Sequence, residues 1–286
     1  MNNTKKYIQA RKDIFSIYIL PDFPQRGNLK DTILSLQAAG VDMLELGIPF
    51  SDPLADGPTI QKYSQQALAN GFSISQLFKD LDAIKQHVRI PLVIMGYINS
   101  VLAYGMDRFL EQCKSVYIDS VILPDMTPHI YKTRFIDKFK KAGVSPVFLV
   151  TPQSTDEKVE EIASLSDSFI YAVSDNSTTG TESGKFNDDT IQYFRRLRHK
   201  INDIPILAGF GIHNKATFNQ VCSELNGGII GSAFLKSQAE DISVEEFTAS
   251  IVETLQVYLK KCPPDSSHPE EPAITRYSVI FAKDKK

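Results

Sequence analysis

Val41-Asp42-Met43-Leu44-Glu45-Leu46-Gly47-Ile48-Pro49-Phe50-Ser51-Asp52-Pro53-Leu54-Ala55-Asp56-Gly57-Pro58-Thr59-Ile60 begins as a strand and ends as a stiff loop. Val41, Met43, Leu44, Leu46 and Ile48 can fill a strand that is covered on both faces, as strands of parallel sheets are. Glu45 interrupts that apolar run. A carboxylate there is costly to keep ionised, so burial should raise its pKa and make it a usable proton carrier near neutral pH. The alternative is a structural acid paired with an Arg or Lys. Gly47 and Pro49 end the strand, and the Pro-, Gly- and Asp-rich loop brings a second acid, Asp56, beside the strand end. Asp52, between Ser51 and Pro53, reads as a turn cap.

Outward from this stretch the chain repeats a strand-then-helix unit. Apolar β-runs are expected at 14–20, 91–97, 120–123, 147–150, 169–173, 205–208 and 228–230. Helical spacing is expected at 28–39, 59–69, 73–87, 108–114, 131–141, 156–165, 188–200, 214–224 and 243–260. Eight such units of about 25–30 residues predict an α/β fold, a (β/α)8 TIM barrel. A doubly wound sheet is the alternative, but the turn after Leu20 has neither Gly-x-Gly nor a Walker pattern. Residues 1–261 are read as one catalytic barrel domain. Residues 262–286 form a Pro- and Glu-rich linker and C-terminal tail, in which 274–282 is either a short pairing segment or part of a disordered end.

The chain has 286 residues, 42% of them hydrophobic, and a net charge of −3, which gives no basic face for nucleic acid. Residues 1–13 lack the apolar centre of a signal peptide, and no run reaches membrane-spanning length. Cys113, Cys222 and Cys262 are odd in number and far apart, which fits reduced thiols in a cytoplasmic protein and neither a disulfide framework nor a zinc site. Arg195, Arg196 and Arg198 read as one solvated helix face.

A barrel collects function at the carboxyl ends of its strands. The strand-end residues are Tyr18, Glu45, Tyr97, Asp125, Tyr171, Gly209-Phe210-Gly211 and Gly231-Ser232. Tyr18, Tyr97, Asp125 and Phe210 are expected to line a substrate pocket. The two glycine-bearing ends, after strands seven and eight, let backbone N–H groups approach an anion, and a short helix after strand eight would add its positive end. Thr179-Gly180, in the loop after strand six, could close on the same anion. No metal site is expected.

Leu44 to Gln61 closely resembles the signature of the tryptophan synthase alpha subunit family. Gly209–Ile212 and Gly231–Ala233 resemble its phosphate-binding strand ends, and 170–180 falls where that family has its mobile loop. The likeness covers residues 14–259. It implies a carbon–carbon lyase of tryptophan biosynthesis that cleaves indole-3-glycerol phosphate to indole and glyceraldehyde 3-phosphate. Residue by residue, it implies Glu45 as general acid/base, Asp56 as the acid at the indole N–H, and Tyr171 beside Glu45. Thr179, Gly180, Gly211, Gly231 and Ser232 would hold the phosphate. It further implies no cofactor in this chain and an α2β2 heterotetramer with a beta subunit that carries pyridoxal phosphate.

Two stretches depart from the family pattern. Ser174-Asp175-Asn176-Ser177-Thr178 precedes Thr179-Gly180 where many members have an Arg, a Gly and a Val. Leu20-Pro21-Asp22-Phe23-Pro24 replaces an Ala-Gly-Asp-Pro turn. Two other readings compete with the lyase. One is an alpha-like chain that mainly activates its partner. The other is a different phosphate-binding barrel, although no strand end carries the Lys that a Schiff-base aldolase needs.

Overall fold

Eight strands pair in chain order, and the eighth pairs back onto the first, so the sheet closes on itself. They are β1 (Ile14–Ile19), β2 (Met43–Gly47), β3 (Leu92–Met95), β4 (Ser120–Ile122), β5 (Ser145–Val150), β6 (Ile170–Val173), β7 (Ile206–Gly209) and β8 (Gly227–Ile230). Every pairing is parallel, with Tyr18 opposite Glu45 and Tyr171 opposite Leu207. The expected barrel is what forms. The computed structural model describes residues 2–174 and 184–252. Thr179, Gly180, most of the loop after β6, the end of the last predicted helix and the 262–286 tail lie outside the described residues.

Period-two alternation sorts each strand onto two faces. Phe15, Ile17, Leu44, Leu46, Ile94, Ile170, Ile206 and Ile230 face outward into the layer between sheet and helices. Ile14, Tyr18, Met43, Val93, Met95, Tyr171, Leu207 and Ile229 face into the barrel. Glu45 shares its parity with Met43, so the strand that buries Leu44 and Leu46 outside must turn Glu45 inward.

Several helices begin or end within two residues of expectation, among them Asp156–Leu165, Asp188–Lys200 and Lys215–Glu224. Three features differ. The helix expected at 108–114 runs Met106–Ser115, and a further helix that was not expected, Ile98–Tyr104, precedes it across Gly105 with φ 99°. The helix expected at 131–141 is interrupted by a π-helical turn, Tyr131–Phe135, between Pro128–Ile130 and Ile136–Ala142. A helix with no strong sequence signal, Asn3–Gln9, packs Ile8 against the inward-facing residues. It is held from afar: the Asp119 carboxylate accepts the Asn3 N–H and the Thr4 hydroxyl at 2.6 Å each. A helix this short is marginal alone, so that long-range anchor decides its formation.

Candidate active site

Glu45 enters the site from the middle of β2. It is 1% exposed, and among the described residues its Oε2 has no hydrogen-bond partner and no cation pairs with it. The structural-acid alternative therefore lacks its partner. Burial, followed by the charge of Asp56, pushes the Glu45 pKa up to about 8. A carboxyl in that position is largely protonated near neutrality and can both give and take a proton.

Asp56 arrives on the loop between β2 and the helix Pro58–Ala69. That loop is tied down from both sides. Gln61 donates to the Asp56 carbonyl at 2.7 Å, and the Tyr97 hydroxyl donates to Asp56 Oδ2 at 3.2 Å. Burial raises the Asp56 pKa and the Tyr97 hydrogen bond opposes that rise. The two acids thus sit in different environments, one without a donor and one with a hydroxyl, which separates their proton affinities. Asp52 accepts from the neighbouring Ser51 hydroxyl and does not line the cavity.

Tyr18 and Tyr171 are buried on β1 and β6. Each lays its ring across the last residue of the following strand, Gly47 and Gly209 respectively. A Cβ added there would come within 2.0 Å of the Tyr18 hydroxyl oxygen and 1.8 Å of the Tyr171 one. Glycine at those two inward-facing positions is what leaves room for both rings. Burial first, then the carboxylates of Glu45 and Asp56, hold both phenols well above their ordinary pKa, so both are neutral donors.

Another part of the site is built from backbone. After β7 the chain turns through Phe210 and Gly211, each with φ 67°, so Gly211 takes the left-handed conformation that glycine adopts without strain. After β8, Gly231 leads into the helix Ser232–Ala239, which has no side-chain cap. Its first N–H groups are left for a ligand.

These residues share one cavity of about 430 Å³, within the usual size of small-molecule sites. Tyr18, Glu45, Asp56, Tyr171, Phe210, Gly211, Gly231 and Ser232 all line it. Two expected pocket residues do not. Tyr97 stands behind Asp56 and also accepts the Ala55 N–H at 2.9 Å, so it braces the loop. Asp125 accepts the Ile98 N–H at 2.9 Å, which turns its carboxylate onto the start of the helix Ile98–Tyr104. A carboxylate at that end is favoured by the helix dipole and leaves the cavity to others. The sequence reading did not single out Met95, Thr59, Ile60, His213 and Ile229, which also line the cavity. Met95 and Ile229 share the inward parity of their strands, and that signal could have found them. Among the described residues no cluster of His, Cys, Asp and Glu could hold a metal ion, and no helix is long and apolar enough to cross a membrane.

The chain is similar to known proteins over most of its length. The family profile described as tryptophan synthase alpha chain matches residues 4–262. The tryptophan synthase alpha chain of Flavobacterium psychrophilum is 44% identical over 253 residues, covering 88% of this chain and all of the relative. That of Bacteroides thetaiotaomicron is 39% identical over 246 residues, covering 86% and 96%. Among solved structures, a chain of the tryptophan synthase complex from Pyrococcus furiosus superposes with a TM-score of 0.74 at 27% identity, covering 84% of this chain and 98% of its own. With the closed barrel and its cavity in place, and with relatives matched along nearly their whole length, the chain belongs to the tryptophan synthase alpha chain family.

Proposed function

We propose that this chain cleaves indole-3-glycerol phosphate to indole and glyceraldehyde 3-phosphate by a retro-aldol step, with Glu45 and Asp56 dividing the proton chemistry. One observation carries the reading. The two acids and the Gly211 and Gly231 turns line one and the same cavity. That combination of acids and free backbone N–H groups suits a substrate that joins an indole ring to a phosphate.

The chemistry follows from the atoms. The indole C3 takes a proton and becomes tetrahedral, leaving positive charge at N1. The glycerol-chain hydroxyl next to the scissile bond loses its proton as its carbon becomes the aldehyde. The electrons of the broken carbon–carbon bond return to the ring and restore indole. Glu45, protonated in its buried setting, supplies the C3 proton and then receives the hydroxyl proton. Asp56 accepts the N1–H hydrogen bond and offsets the charge that develops there. Tyr18 and Tyr171, neutral and buried, shape the apolar wall and exclude water. Gly211, Gly231 and Ser232 hold the phosphate through backbone N–H groups, together with Thr179 and Gly180.

The chain uses no cofactor of its own in this reading. Indole passes to a beta subunit that carries pyridoxal phosphate, in an α2β2 assembly. Leu54, 86% exposed on the loop that ends in Asp56, supports a partner surface there. The test is indole release from indole-3-glycerol phosphate by the purified chain, with and without a beta subunit. Turnover that needs both Glu45 and Asp56 supports the reading. No indole release under either condition overturns it.

A further inference from the structure

The cavity lining contains two carboxyl groups and, among the described residues, no Lys or Arg. With no such cation in that lining, a bound phosphate is held by neutral donors, backbone N–H groups among them, and their aim bears on affinity. In the turn after β7, neither the Gly211 nor the Ile212 N–H has a backbone acceptor among the described residues. The direction of the Ile212 N–H is fixed by the side chain two residues beyond Gly211.

His213 Nδ1 lies 2.8 Å from the Gly211 carbonyl oxygen. A carbonyl can only accept, so Nδ1 carries a hydrogen. The other ring nitrogen, Nε2, lies 3.2 Å from Asn214 Nδ2. The orientation of that amide follows from its other partners. Asn214 Oδ1 accepts the Thr217 N–H at 2.8 Å, and Asn214 Nδ2 donates to the Gly184 carbonyl at 3.0 Å. The second Asn214 N–H then points at Nε2, which accepts. His213 is thereby held as the Nδ1–H tautomer.

The consequence reaches the anion side. In a trans peptide the C=O and the following N–H point in opposite directions. Fixing the Gly211 carbonyl on His213 fixes the Ile212 N–H on the other side. The same Asn214 also ties Gly184 to this turn, and Ser174 does so from the near side, donating to the Gly209 and Phe210 carbonyls at 3.0 and 2.6 Å. We propose that His213 is a positioning residue for the substrate phosphate: braced by Asn214, its imidazole fixes the Gly211 carbonyl and so aims the Ile212 N–H at the anion. This rests on the reading that the phosphate sits at the β7 and β8 ends.

The experiment measures inorganic phosphate and glycerol 3-phosphate binding by thermal shift and calorimetry, with indole as a probe of the rest of the cavity. Steady-state cleavage is measured in parallel. His213→Ala is expected to weaken phosphate binding and raise KM about tenfold, the scale of one well-placed hydrogen bond, with a smaller change in kcat and none in indole affinity. His213→Asn places an amide N–H where Nδ1–H was and is expected to restore phosphate binding. Asn214→Ser keeps a good helix cap but loses the donor to Nε2 and Gly184, so it is expected to weaken phosphate binding as His213→Ala does. Wild type that binds no phosphate would show that the phosphate-end reading itself has failed. Wild type that binds phosphate, with His213→Ala or Asn214→Ser equal to it, would overturn the positioning role alone. If His213→Ala does not fold, the other two variants decide the matter by the same measurements.

Discussion

The Tyr97 hydroxyl bridges the backbone and the side chain of the acid loop: it accepts the Ala55 N–H at 2.9 Å and donates to Asp56 Oδ2 at 3.2 Å. Its ring stacks against Phe50 with centroids 5.2 Å apart, which fixes it from the side. Burial pushes the phenol up to about 12, so it stays a donor across the working pH range.

Removing that hydroxyl with Tyr97→Phe keeps the stacked ring and leaves Asp56 free to wander. The expected result is a kcat about tenfold lower, from the loss of roughly 1–1.5 kcal/mol of hydrogen bonding, with the phosphate contribution to KM little changed. Steady-state kinetics on the purified variant checks it. An unchanged kcat would mean that the loop holds Asp56 without the tyrosine.

Glu45 makes a prediction about pH. Its folded-state pKa is raised from 4.5 to about 8, so the folded protein favours the neutral carboxyl. Stability linked to Glu45 is complete below about 4.5 and is lost as pH rises through about 8. Glu45→Gln should melt with wild type near the acid end and exceed it by roughly 2–5 kcal/mol at about pH 9, by linkage. The same variant should lose about 10²–10⁴-fold in indole release, and wild-type kcat should fall above about pH 8 as the C3 acid ionises. Parallel stability curves for the two proteins across that range would contradict the buried-acid account.

Gly231 has an ordinary negative φ of −111°, and an added Cβ would sit 3.5 Å from Tyr18 Cβ, normal contact distance. Gly231→Ala should therefore fold and bind nearly normally, whereas Gly231→Leu should push a side chain toward Tyr18 and Ile60 and block the anion. Glycerol 3-phosphate should raise the melting temperature of wild type and Gly231→Ala and do little for Gly231→Leu. Equal protection of all three would place the phosphate elsewhere.

Leu54 projects from the loop between Pro53 and Pro58 and is the most exposed large apolar side chain among the described residues. A beta subunit that covers it would press on the segment carrying Asp56, and stimulation should then run in both directions. Leu54→Asp is expected to weaken complex formation and abolish mutual stimulation, leaving indole release by the isolated chain within about twofold, since exposed surface changes seldom exceed ~0.5 kcal/mol. Pro53→Gly should keep binding but reduce coupling by loosening the loop. A titration with beta subunit that follows both reactions separates these outcomes. A complex that forms with no rate change in either subunit would refute the coupling and leave the lyase reading intact.

Local sequence determined the barrel and the two acids. Alternation, strand length and Gly or Pro punctuation are properties of adjacent residues, so β2, Asp156–Leu165 and Asp188–Lys200 are legible one after another. Glu45 stands out for the same reason: a carboxyl at an inward position of an apolar strand carries its desolvation with it wherever the strand ends up. Barrel closure decided the rest. Tyr97 meets Asp56 across 41 residues of chain, and Asn214 reaches Gly184 across 30. Asp125, which reads like Glu45 as a strand-end acid, is claimed by the Ile98 N–H 27 residues away and leaves the cavity. Each of these outcomes depends on which strand ends become neighbours when the sheet closes. No periodicity records that, because a hydrogen bond is set by distance and angle between groups that the chain brings together only in three dimensions.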